Sequence, residues 1–114
     1  MNEVQFSCNE DKRIYKFWLS LPFDSGSSIG HVDVPRGSVI LSVGVEEIVD
    51  QLQDTKQNKI MLFVLAPAYY KEYDRKNFQF IKSGDIIPSS NKYFRFIGTV
   101  ASSLGTRHIF EVIG

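Results

Sequence analysis

Apolar and polar residues alternate at a spacing of two along most of this chain. That period is typical of β-strands with one buried face, and the Gly, Pro, Asn and Ser residues between the segments are typical of turns. The segments with this pattern are 3–8, 13–21, 31–34, 39–45, 77–82, 93–102 and 106–113, and the apolar segment 59–66 is a further strand candidate. The pattern predicts an all-β fold, a small antiparallel β-sandwich or partly closed barrel of about seven strands.

Two regions need more than the simple alternation. In 46–58, Ile48, Val49 and Leu52 have helical spacing, which predicts a short helix around 46–55, but continuation of the preceding strand would instead make a long hairpin. The alternation leaves both structures open. The segment 59–66 is apolar on both faces, so we expect it at the centre of a sheet with cover on both sides.

Length and charge limit the classes of function. The 114 residues are 43% hydrophobic, which suits a single domain over 1–114 with one core. Thirteen Lys and Arg balance thirteen Asp and Glu, so no global field attracts long nucleic acid or a membrane. The single cysteine, Cys8, and an N-terminus without the features of a signal peptide favour a reducing cytosol.

A set of short motifs spans residues 14–112. These motifs are Ile14-Tyr15-Lys16-Phe17, Val34-Pro35-Arg36-Gly37-Ser38-Val39-Ile40-Leu41-Ser42-Val43-Gly44, Met61 to Leu65, Ser83-Gly84-Asp85-Ile86-Ile87-Pro88, Phe96-Ile97-Gly98-Thr99-Val100 and His108-Ile109-Phe110-Glu111-Val112. In this order and spacing they resemble a family of small proteins of tailed bacteriophages catalogued as a domain of unknown function. The resemblance implies a compact β-rich phage accessory protein in the cytoplasm of a bacterial host, and it implies no catalytic residues.

The chain departs from that family at two places. Residues 46–59 resemble an insertion, because family members are usually shorter between the two strands that flank this stretch. Ser83-Gly84-Asp85 stands where a Gly-Thr-Gly-His-like stretch is common. A role of that family histidine therefore cannot be transferred to this chain.

Tyrosines and basic residues concentrate in one segment, 69–76. Tyrosine can stack on a base or on an apolar partner surface at low entropic cost, and Lys or Arg can bind phosphate or carboxylate. The segment is therefore a candidate recognition loop, and the alternative is that its tyrosines cap the edge of the core. The candidate ligand-binding residues of this loop are Tyr69, Tyr70, Lys71, Tyr73 and Arg75.

A second candidate surface is the odd-numbered face of the last hairpin. Arg95 and Arg107 would lie near an aromatic ring there, together with Tyr93 and Thr99, if the register pairs them. Both arginines complete the predicted ligand-binding set.

Catalytic and metal-binding patterns are weak. His31, His108 and Cys8 have no short spacing, so we expect no metal site and no cofactor. The sequence has no Gly-x-Ser-x-Gly elbow, and the glycines of 25–30 lack the Gly-Lys-Ser/Thr ending of a phosphate-binding loop. These patterns predict a protein that is not an enzyme.

Two functions of different class remain. The first is a phage accessory protein that binds and sequesters a small anionic ligand, such as a nucleotide-type host immune signal, with a homo-oligomer as one option. The second is an inhibitor or adaptor that binds a host or phage protein through the tyrosine loop, or a minor component of the virion. Neither involves a membrane or long nucleic acid.

Overall fold

The computed structural model describes residues 5–6, 8–22, 29–87, 89, 91–102 and 105–113. These residues form seven strands and no helix. The strands are β1 (Lys12–Pro22), β2 (Ile29–Pro35), β3 (Val39–Asp50), β4 (Thr55–Pro67), β5 (Tyr73–Lys82), β6 (Phe94–Ser102) and β7 (Gly105–Val112). None of the described residues belongs to a helix long and apolar enough to cross a membrane.

The strands form two antiparallel sheets. Sheet A has the order β1-β4-β3, and sheet B has the order β2-β5-β7-β6. The all-β prediction is confirmed, and of its two architectures the two separate sheets correspond to the sandwich. As predicted, β4 is a central strand.

The core lies between the two sheets. Ile60, Leu62 and Val64, at alternate positions of β4, are almost completely buried. They pack in one cluster with Phe78 and Ile109, which come from the inner face of sheet B. This clustering follows from the period of two, because alternate residues of each strand point into the same interior.

Residues 46–58 form a hairpin, so the predicted short helix around 46–55 is wrong. β3 and β4 pair from Val39↔Leu65 to Asp50↔Thr55. Asp50 Oδ1 accepts hydrogen bonds from the backbone N–H groups of Leu52 at 3.0 Å and Gln53 at 3.3 Å. An Asp side chain that caps a turn in this way competes with helix formation. Asp54 completes the turn in the left-handed region, with φ of 52°.

Two further predictions concern the N-terminal third of the chain. Of the predicted strand 3–8, Gln5, Phe6 and Cys8 are described, and they do not lie in a strand. Within the glycine-containing stretch 25–30, residues 25–28 lie outside the described residues, while Ile29 and Gly30 begin β2.

Candidate functional site

Three of the predicted tyrosines lie around the connection between β4 and β5. The Tyr70 ring makes edge contacts with Tyr73, at 5.3 Å between ring centroids, and with Tyr15 of β1, at 6.1 Å. Tyr69 is 80% exposed and Tyr73 is also exposed. We refer to Tyr69, Tyr70 and Tyr73 as the tyrosine surface.

Backbone hydrogen bonds attach both ends of this connection to neighbouring segments. The N–H of Ala68 donates to the carbonyl oxygen of Asp11 at 2.9 Å, just before β1. At the other end, the N–H of Arg36 donates to the carbonyl oxygen of Glu72 at 2.9 Å, in the turn after β2. The tyrosine surface is therefore held in place by strands from both sheets.

Two arginines near the tyrosine surface, Arg75 and Arg36, are paired with carboxylates. Arg75 donates through Nε and Nη2 to the two carboxylate oxygens of Asp33, at 3.0 and 3.4 Å. These bonds lower the pKa of Asp33 and raise the pKa of Arg75, because each charge stabilises the other. Arg36 contacts Asp74, at 3.3 Å, and Glu72. Lys71 is exposed and has no side-chain hydrogen bond to another described residue.

The two predicted arginines of the last hairpin do not form one surface. The register shifts between Phe96 and Gly98, so Ile97 is an extra residue that reverses the alternation of β6. Arg95 of β6 pairs with Glu111 of β7. Arg107 lies four residues before Glu111 on β7 and pairs with Val100 of β6. The prediction of one odd-numbered face is wrong, because Thr99 pairs with His108 on the opposite face.

Arg95 instead contacts a buried carboxylate that the sequence analysis missed. Glu111 is 1% exposed, forms an ion pair with Arg95, and lies 3.5 Å from Lys76 Nζ. Glu111 and Ile109 are both inward-facing on β7, two positions apart, which the period of two could have indicated. Arg95 is therefore the ion-pair partner of the buried Glu111 carboxylate.

The comparisons with known proteins identify the family. A family model described as Domain of unknown function (DUF7352) matches residues 10–114. The chain belongs to this DUF7352 family. The match includes all seven strands, so the two-sheet architecture is that of the family domain in this chain. A search of the curated proteins and a search of the solved structures each find no match.

The DUF7352 domain also contains a hydrogen-bonded histidine that the sequence analysis did not connect to other residues. His108 Nε2 lies 2.7 Å from Ser83 Oγ, and His108 Nδ1 lies 2.9 Å from Thr99 Oγ1. A Ser–His pair is the start of a nucleophilic site, but here the third group is a hydroxyl and not the carboxylate that stabilises an imidazolium. The contacts connect β6 and β7 to the turn after β5.

Potential metal ligands do not converge in the part of the DUF7352 domain that the structure describes. No group of three or more His, Cys, Asp or Glu residues there could hold a metal ion.

Proposed function

We propose that this DUF7352 protein is a non-enzymatic accessory protein that binds another protein through the tyrosine surface. The observation that carries the proposal is the contact between the Tyr70 and Tyr73 rings, next in sequence to exposed Tyr69 and beside arginines that already have carboxylate partners. This is the adaptor alternative of the sequence analysis, at the residues it named.

Tyrosine is well suited to anchor a protein interface. Its ring covers a large area with few rotatable bonds, and its hydroxyl remains able to form hydrogen bonds. Interface centres are rich in aromatic residues and arginine, while their rims are polar. The tyrosine surface has this composition, because its rings are flanked by the Arg75–Asp33 and Arg36–Asp74 pairs.

Sequestration of a small anion is the second candidate. Exposed Lys71, between the Tyr70 and Tyr73 rings in sequence, supports it. The paired arginines support it less, because an incoming phosphate would compete with carboxylates already bound to Arg75 and Arg36. The balance of charges therefore favours a protein partner.

The setting of this function is also part of the proposal. The resemblance of residues 14–112 to small tailed-phage proteins supports a phage accessory role in the cytoplasm of a bacterial host. Monomer and homo-oligomer are both compatible with a single binding surface per chain.

The test compares matched tyrosine variants in the same capture experiment. Tagged wild-type protein, Y69A/Y73A and Y93A are cross-linked in bacterial extract with and without phage infection. Tyr93 is a matched control, since it is 75% exposed and lies just before β6, outside the tyrosine surface. We expect one partner to be lost in Y69A/Y73A and retained in Y93A.

Two results would contradict the proposal. Equal capture by Y69A/Y73A and wild type would remove the tyrosine surface from the interface. Calorimetric binding of a cyclic nucleotide or ADP-ribose derivative that is lost in K71A and Y73A would instead favour sequestration of a small anion.

A further inference from the structure

The outer face of sheet B continues beyond Tyr73 and Arg75, and this further part has a regular arrangement that the proposed protein interface does not use. Phe78, Phe80 and Ile109 are buried in the core, so the alternate residues of β5 and β7 point away from sheet A. Cross-strand pairing places these outer residues in two rows. One row contains Ile29, Gln79, Phe110 and Phe96, and the next contains His31, Asn77, Val112 and Phe94.

Three phenylalanine rings form a continuous strip on this face. Phe110 makes an edge contact with Phe94, at 6.5 Å between centroids and 80° between planes. On its other side Phe110 contacts Phe96, at 5.5 Å and 58°. Phe96 is exposed, while Phe94 and Phe110 are half-buried.

A cavity of about 360 Å³ lies beside the strip. Its volume is near the lower end of the range for small-molecule sites, which start at about 300 Å³. Its lining is partly apolar and partly polar. The apolar lining residues are Ile29, Phe78, Phe94 and Val112, and the polar ones are Asn77, Gln79 and Lys92. Neither carboxamide has a side-chain hydrogen bond to another described residue.

We propose that this cavity binds the nucleobase of a nucleotide. Phe94 provides a ring on which a base can stack. Asn77 and Gln79 follow each other on the outer face of β5, and a carboxamide can donate to and accept from the edge of a base at once, the pairing it makes with N6 and N7 of adenine. Lys92 lines the same cavity and can approach a phosphate of the bound nucleotide.

Other occupants fit these groups less well. A second copy docked by its phenylalanine strip would bury the Asn77 and Gln79 carboxamides against apolar rings, which is costly without hydrogen bonds. A base can contact the apolar groups of the cavity with its face and can hydrogen-bond to the two carboxamides with its polar edge. The formal net charge of zero limits the site to one or a few nucleotides, because long nucleic acid is bound mainly through many phosphate contacts.

Calorimetry with the full chain tests the proposal. The probes are AMP, GMP, CMP, UMP, a hexa-adenylate and ribose 5-phosphate, which has the phosphate without the base. We expect AMP to bind, ribose 5-phosphate not to bind, and F94A and N77A each to weaken AMP binding about tenfold. Y69A is the control, because Tyr69 belongs to the tyrosine surface, and it should bind AMP as wild type does.

The variants separate this site from the proposed protein interface. AMP binding that is lost in F94A and N77A, with Y69A unaffected, supports the nucleobase site whether or not a protein partner is found. Circular dichroism checks that F94A folds. If F94A does not fold, N77A still tests the site, because Asn77 is exposed. A tighter complex with hexa-adenylate than with AMP identifies a single strand as the source of the base, and equal affinity identifies a free nucleotide.

Three outcomes would overturn the proposal. These are no binding of any nucleotide, equal binding of ribose 5-phosphate and AMP, and AMP binding that depends on Tyr69 but not on Phe94 or Asn77.

Discussion

The Arg95 guanidinium contacts the Glu111 carboxylate across the β6–β7 pair, and the Glu111 side chain is 2% exposed. The Arg95 side chain is half-exposed, so the Arg95 end of this ion pair reaches solvent while the Glu111 end lies in the core. A charge in that position needs its partner, because burial without one costs several kcal/mol.

We expect R95A to lower the free energy of unfolding by about 3 kcal/mol, since it leaves the Glu111 carboxylate with Lys76 alone, at 3.5 Å. Urea unfolding measures this change. The double variant R95M/E111L should recover most of the loss, because it removes both charges and fills the space with apolar atoms. A loss below about 0.5 kcal/mol in R95A would show that the pair behaves as a surface ion pair.

Gly98 of β6 packs closely against Val43 of β3. A Cβ at this glycine would lie 2.7 Å from Val43 Cγ1, closer than real carbon contacts allow. We expect G98A to destabilise the domain by about 1–3 kcal/mol through overpacking between the sheets. In a thermal-unfolding cycle, G98A/V43A should lose less than the sum of the two single variants. Simple additivity would mean that the sheets separate to admit the methyl group.

The Asp33–Arg75 ion pair makes the free energy of unfolding depend on pH in the acidic range. Arg75 holds the pKa of Asp33 below its ordinary value of 3.8. The stabilisation is therefore present above pH 3.8 and is lost as the pH falls through the folded pKa. We expect R75Q to raise the titration midpoint of Asp33 in carboxyl-detected NMR. K71Q, which removes a nearby cation without contact to Asp33, is the control and should leave that midpoint where it is.

The pKa of Tyr70 depends on the contact of Tyr70 with Tyr73 within the tyrosine surface. Its hydrogen bond with Tyr73 raises the pKa of Tyr70 above 10.0, because the bond favours the protonated phenol. The contribution to stability is full below pH 10 and is lost as the pH rises through the folded pKa. An ultraviolet titration should show a lower Tyr70 pKa in Y73F and no change in Y69F. Identical curves for wild type and Y73F would mean that the hydrogen bond does not persist in solution.

Much of the fold follows from local patterns in the sequence. The period of two was sufficient for the all-β class and for the central position of β4, because alternate residues of a strand must face opposite sides. Composition alone singled out segment 69–76, since its tyrosines and cations are visible without coordinates. The prediction that the whole segment is a loop is wrong, because residues 73–76 belong to β5.

Other features depend on distant partners or on a local change of period. The extra residue at Ile97 moves Thr99 to the face opposite Arg95, and a strict alternation cannot register such a bulge. The helical spacing of Ile48, Val49 and Leu52 was overridden by pairing with β4 and by the Asp50 turn.

By itself, the sequence determined the all-β class, the central position of β4 and the composition of segment 69–76, because these depend on neighbours along the chain. Only the tertiary structure decided which charges are neutralised and which rings share a face. Asp33 is hydrogen-bonded to Arg75, which is 42 residues away along the chain, and the Phe94 ring of β6 contacts the Phe110 ring of β7. Such contacts depend on strand order and register, which are set by packing of the whole domain.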